Sequence, residues 1–260
     1  MKVSVPGALT CFFYPLPHPD PRRAGSIGLG IAIEDVVRVR ARPLRSDRVR
    51  VRANHPVGDE IARACAETLG TGLSVRYEFR APPGCGLGTS AASALGTLLA
   101  ARLHLEGTAD LRWIARRAHE IELRLGTGLG DVTTIWHGGA VLRLRTGYPD
   151  RVKTARIPLP ERTLTVERPV PLDTRRELPR LDRNRLEPAL AYTQLLTRRP
   201  DPDLALRLAR RFTRRLGLNP PRDGSIALLS RTRFRLGDEG PGRRFRVALR
   251  PFPKLISAIS

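Results

Sequence analysis

The stretch GCGLGTSAAS, residues Gly84–Ser93, places three glycines within five residues, then two hydroxyls, then alanines. It follows an alternating run, LSVRYEF (73–79), and opens a long uncharged one, SAASALGTLLAARL (90–103). A phosphate cradle needs backbone N–H groups that converge, small residues that let a phosphate approach, and a helix N-terminus behind them. Gly84, Gly86 and Gly88 free the backbone, Cys85 and Leu87 lie between them, and Thr89 and Ser90 offer hydroxyls at the first turn of the following helix. A Walker loop is excluded because no lysine lies in the stretch, and a dinucleotide fingerprint is excluded because Thr89 stands where the last glycine belongs. Taken alone, a tight strand-to-helix connection with no ligand fits these residues equally well.

Outward from the loop, residues 31–42, 48–53 and 73–79 alternate with period two and read as strands, while 57–69 reads as a helix. The run 90–103 is apolar nearly all round, as in a helix at the centre of a domain. Residues 110–125 form an amphipathic helix with Leu111, Ile114, Ala118, Ile121 and Leu125 on one stripe. At 100° per residue, Glu122 lies about 40° from Ala118, inside that stripe, and Glu120 about 160° away, toward solvent. A carboxylate on a buried stripe is costly unless a cation or a partner meets it, so Glu122 is a candidate metal ligand, with pairing to an arginine as the alternative. Asp131 follows Thr127-Gly128-Leu129-Gly130 and is expected to lead into the first of two short strands around His137-Gly138-Gly139. Glycines before an acid suit a general base or a group that orients a hydroxyl.

From about residue 148 prolines punctuate a looser segment, followed by helices at 184–197 and 203–216 and strands near 226–236 and 243–250. A boundary near 150 gives two α+β units, 1–150 and 151–260. The 46 basic residues against 25 acidic give a formal charge of +21, a pointer to nucleic acid. The arginines are nonetheless spread through nearly every element with few aromatics beside them, which argues against nucleic acid as the main partner and leaves a field that favours an anionic small substrate. The uncharged segment 81–101 is broken by Pro82, Pro83 and glycines, so no membrane span is expected. Three cysteines without CxxC spacing and no signal-peptide pattern at the start point to a reducing cytoplasm.

APPGCGLGTSAASAL resembles the second motif of the GHMP kinase superfamily, the galactokinase, homoserine kinase and mevalonate kinase group. Within it, AHEIELRLGTGLGDV, HGGAVLRLRTGYP, the opening FFYPLPHPDPRRAGSIGLGIAIEDVV and SIALLSRTRF (225–234) resemble the archaeal pantoate kinases. The resemblance implies a two-domain α+β fold with a ferredoxin-like C-terminal domain. It implies a loop of Gly84, Cys85, Gly86, Leu87, Gly88, Thr89 and Ser90 around the ATP phosphates, and Mg2+ on Ser90 and Glu122. Some mevalonate kinases would align their metal glutamate with Glu120 instead. Asp131 would sit beside the hydroxyl to be phosphorylated, the primary hydroxyl of pantoate. A carboxylate substrate asks for a cation, and Arg143 and Arg145 are expected to project from one face of a strand; Ser26, Gly28 and Gly30 are expected to form a small-residue turn at the substrate side. Two departures stand out: Ala8 replaces the first-motif lysine of mevalonate kinases, and the third glycine motif is degenerate at 225–232. Shikimate, homoserine and mevalonate are the alternative acceptors, a basic nucleic-acid-binding protein is the alternative of another class, and a homodimer is the alternative to a monomer.

Overall fold

A computed structural model of the chain describes residues 1–159, 163–168, 174–177, 180–216, 233–236, 243–248 and 250–253. The degenerate glycine motif at 225–232 lies outside them. Nine strands and eight helices are described, and the mixed α+β class follows from their arrangement. The main sheet is six-stranded: β3 (Val49–Ala53), β4 (Gly72–Phe79), β2 (Gly25–Leu44), β5 (Ala140–Arg143) and β6 (Thr154–Ile157) in that order, with β1 (Val3–Leu16) also paired to β2. Only β3 and β4 run parallel. A second, three-stranded sheet sets β7 (Thr163–Arg168) between β8 (Arg233–Leu236) and β9 (Arg243–Arg246). The main sheet thus takes in β6, a few residues past the expected boundary at 150.

Helices α1 (Glu60–Leu69) and α2 (Thr89–Glu106) pack on the main sheet, α2 against β1, β2 and β4 and α1 against β3 and β4, while α3 (Leu111–Leu125) packs on α1 and α2. α2 is buried along most of its length, which explains why its sequence has no polar face. Gly96 lets it approach the sheet, because a methyl there would stand 2.6 Å from Val39 Cγ2. A separate core gathers Phe12, Phe13, Leu29 and Ile31 under α7 (Pro188–Arg198) and α8 (Pro202–Arg215), with Phe12 edge-on to Tyr192 and Phe212. β1 and β2 serve both cores. Between the two, the register shifts at Val5/Gly7 and Asp35 adopts φ 48°, held by Arg38, Arg80 and Ser4. Burial alone would raise the Asp35 carboxyl, but those hydrogen bonds outweigh it and hold it down to about 2.

Four expectations are corrected. β1 was not anticipated, because Pro6 and Gly7 interrupt its period; both fall at the bulge, where a strand tolerates a missing donor. Residues Asp131–His137 form helix α4, not a strand. Their β-branched residues favour strand by propensity, but Val132 and Ile135 share one buried helical face, and the acid at the first turn suits the helix N-terminus. Ser26, Gly28 and Gly30 lie within β2 rather than in a turn. The helix expected at 184–197 divides into α6 (Arg183–Leu186) and α7, separated at Glu187 and Pro188. Among the described residues no helix is long and apolar enough to cross a membrane.

Candidate active site

The glycine loop runs from the end of β4 into α2, where Gly88 is the N-cap with φ 58° and contributes no side-chain hydrogen bond. By contrast, Asp110 caps α3 by accepting from the N–H groups of Arg112 and Trp113. The first-turn amides of α2 are therefore left for an anion, at the positive end of an 18-residue helix. Ala8 N–H donates to Leu87 O at 3.0 Å, tying the loop to β1, and a methyl on Gly7 would strike that same carbonyl. The Cys85 and Leu87 side chains point into the core and are fully buried, so these two residues face the cavity only through the backbone. Burial pushes the Cys85 thiol up to about 11, which leaves it an inert small side chain.

In front of the loop lies a cavity of about 450 Å³. Gly84, Gly86, Gly88, Thr89 and Ser90 line one side, and Thr127–Asp131 the other. Glu122, on the buried stripe of α3, lies behind this gap and is bonded to two residues that line it. Its Oε2 accepts from Ser90 Oγ at 3.2 Å and its Oε1 from Thr127 Oγ1 at 2.5 Å. Space for the carboxylate is made by Gly128, where a methyl would stand 2.1 Å from Glu122 Oε2. Burial drives the Glu122 carboxyl up to about 8; the neighbouring Asp131 adds to the rise, and the two hydroxyls pull against it. The alternative that an arginine neutralises Glu122 finds no such pair among the described residues.

Asp131, the first residue of α4, is half-buried and lines the cavity. Its carboxyl is raised by desolvation and lowered by Arg143 and by the hydrogen bond from Thr10 Oγ1 at 3.1 Å. Arg143, at the end of β5, is 2 % exposed and sits in a slot. Its Nε donates to Ser26 O at 3.2 Å and its Nη1 to Thr134 Oγ1 at 2.8 Å. The slot exists because Gly30 and Gly130 lack side chains: a methyl would come within 2.9 Å of Nη1 at the first and 2.6 Å of Nε at the second. Burial lowers the guanidinium to about 10, with Asp131 opposing, so it stays charged at neutral pH.

The structure thus brings together Ser26, the glycine loop, Ser90, Glu122, Asp131 and Arg143. Glu120 stands apart, bonded to Arg117 and to Tyr148 Oη on the outer side of α3. Arg145 is exposed, because β5 ends at Arg143 and period two does not continue past it. Gly28 packs on β1, where a methyl would meet Phe12 O at 2.2 Å, and it does not reach the cavity. Thr10, Thr127 and Arg175 line the site and were not anticipated. Single threonines on an unrecognised strand and before a glycine carry no periodic signal, and Arg175 is one arginine among many. Among the described residues no cluster of three or more His, Cys, Asp or Glu forms a metal cage.

An uncapped glycine loop near one buried and one half-buried carboxyl and a buried guanidinium, on this two-sheet frame, defines the GHMP kinase class. Residues 54–139 match the family model for the GHMP kinases N-terminal domain. A pantoate kinase of Methanospirillum hungatei is 35 % identical over 153 residues, 56 % of this chain and 53 % of that protein. One of Thermococcus kodakarensis is 30 % identical over 250 residues, 87 % of this chain and 79 % of the relative. A solved structure described as a phosphotransferase related to the CoA biosynthesis pathway superposes with a TM-score of 0.80 at 25 % identity, covering 96 % of this chain and 97 % of that one. The chain belongs to the pantoate kinase family.

Proposed function

We propose that the protein transfers the γ-phosphoryl group of ATP to the primary hydroxyl of pantoate, giving 4-phosphopantoate for coenzyme A synthesis. The observation that carries this reading is the placement of Asp131 and Arg143 beside each other, across the cavity from the uncapped amides of α2. The triphosphate lies along Gly84–Ser90, and the apolar end formed by Pro56, Val57, Ile61 and Phe79 takes the base. Asp131 accepts the hydrogen bond of the acceptor hydroxyl, and its raised basicity suits removal of the proton as the bond to phosphorus forms. Arg143 has N–H groups beyond those given to Ser26 and Thr134, and these pair with the substrate carboxylate, while Ser26 Oγ and Phe13 shape the acceptor end. Thr10 holds Asp131 in place from the opposite side.

Ser90 and Glu122 are a donor set that fits Mg2+, which takes one or two protein oxygens and completes its shell with phosphate and water. A carboxyl raised by burial and met only by hydroxyls is a group that a cation would return to its charged form. When bound, the ion neutralises charge on the phosphate oxygens. The units 1–150 and 151–260 would then divide the work, with the phosphate loop, Glu122, Asp131 and Arg143 in the first and Arg175 reaching the site from the second.

A panel of acceptors with ATP tests the assignment: pantoate, homoserine, mevalonate and shikimate, each followed by ADP release and by mass of the product. Pantoate is expected to give the highest kcat/KM, with phosphate on the primary hydroxyl. Turnover confined to another acceptor would sink the pantoate reading and leave the GHMP chemistry standing.

A further inference from the structure

The arginines that are scattered in the sequence are gathered by strand register on the open face of the main sheet. Val37, Val39 and Ala41 of β2, Leu73, Val75 and Tyr77 of β4, and the valines of β3 face the helices, so the alternate residues face outward. Arg40 stands opposite Arg76, and Arg76 opposite Arg52; in the next row Arg42 and Arg50 flank Ser74. All five arginines are exposed, and none has a hydrogen-bond or ion-pair partner among the described residues. The acids of this face lie at one end, where Asp35 and Glu78 are engaged with Arg38, Arg80 and Lys2. The backbone positions that bear these arginines therefore repeat at about 4.8 Å across strands and about 6.7 Å along them. Like charges directly opposite destabilise a sheet, so this arrangement costs the free protein stability that an anionic partner would restore.

We propose that this face docks on the phosphate backbone of a nucleic-acid duplex, a second role separate from the kinase site. Charge complementarity chooses a polyanion over a second copy of a chain with a formal charge of +21. Planar guanidinium forks match phosphate oxygens in pairs, and the strand register presents them in rows to a regular backbone. The aromatics of β4, Tyr77 and Phe79, point into the core, so the face has no platform for unpaired bases. Among the described residues the exposed large apolar side chains are Met1, Leu16, Leu105 and Leu195, none of them on β2, β3 or β4, so the face carries no anchor for a lipid surface.

The test is fluorescence anisotropy of a labelled DNA duplex with the purified full chain, repeated from about 50 to 200 mM salt. Five engaged arginines give a slope of log K on log salt of about −4.5, and R40T/R52T/R76T should reduce it by about 2.7. A matched loss of charge elsewhere, R207Q/R211Q/R214Q on the exposed side of α8, should leave the slope within about one unit of wild type. Kinase turnover should be unchanged in both, which separates loss of docking from loss of fold. Equal weakening by the two triple variants, no weakening by the first, or equally tight binding of polyglutamate, single-stranded DNA or anionic vesicles would overturn the proposal.

Discussion

Gly84–Ser90 and Thr127–Asp131 are both glycine-rich connections ending at a helix N-terminus, yet they use glycine for opposite reasons. In the first, Gly84, Gly86 and Gly88 have positive φ, so torsion is what the missing Cβ supplies. In the second, Gly128 and Gly130 have no such φ, and what they supply is volume: one clears the Glu122 carboxylate and the other the Arg143 guanidinium. The first loop aims amides outward at a ligand, and the second lets charged side chains converge from behind. A glycine count does not separate these roles; the atom that a methyl would strike does.

The largest expected effect falls on the second stretch. Asp131→Ala should lower kcat by about 10²–10⁴-fold, the usual range for a general base, while ATP binding measured by calorimetry stays near wild type. Loss of nucleotide binding together with turnover would place Asp131 on the wrong side of the cavity. Gly128→Ala comes next: its methyl must displace the Glu122 carboxylate, so about 10²-fold in kcat/KM and a raised Mg2+ requirement are expected. A Gly128→Ala enzyme with unaltered Mg2+ dependence would remove Glu122 from the metal site. On the first stretch, Gly88→Ala forces a left-handed torsion costing about 1–2 kcal/mol and approaches Ala8 N at 3.0 Å. It should raise KM for ATP about tenfold with little change in KM for pantoate, and the reverse pattern would break the contrast between the two loops.

Much of this was legible before the structure. The glycine loop that opens a buried helix, the inward Glu122 and the glycine-led Asp131 follow from local periodicity and spacing, because each signal lies within one or two helical turns, whereas the loop's expected phosphate role came from the family resemblance. Arg145, the Ser26–Gly30 turn and the Asp131 strand were misread because the outcome depends on where β5 stops, on the length of β2 and on which residues pack over α4. Those are tertiary facts. The arginine face was invisible for the same reason: Arg40, Arg52 and Arg76 lie on three separate strands and meet only through register.

Thr10 shows the same limit at the scale of one bond, since it reaches Asp131 across 121 residues. Thr10→Val keeps the strand and removes the donor, so kcat should fall severalfold with KM for ATP unchanged, and the acidic limb of the kcat profile should shift upward because a hydrogen bond that lowers the Asp131 carboxyl is gone. Thr10→Ser should restore both, and failure of the serine to do so would assign Thr10 to packing alone.

The smallest effect on catalysis is expected behind the first loop, at Asp35. Its bonds hold Arg80, the first residue after β4 on the way to the loop, and Arg80 N–H donates to Val36 O. Because the folded carboxyl sits at about 2, below the ordinary 3.8, its stabilisation is complete above about pH 4 and is lost as pH falls toward 2. The amount is on the order of 2 kcal/mol. Asp35→Asn retains a residue that tolerates φ 48° and should flatten this acid limb in chemical denaturation, leaving kcat near wild type at neutral pH. A large fall in kcat would mean that the strand bulge positions the phosphate loop as well as stabilising the sheet, and the two glycine stretches would then share a support that their separate chemistry does not reveal.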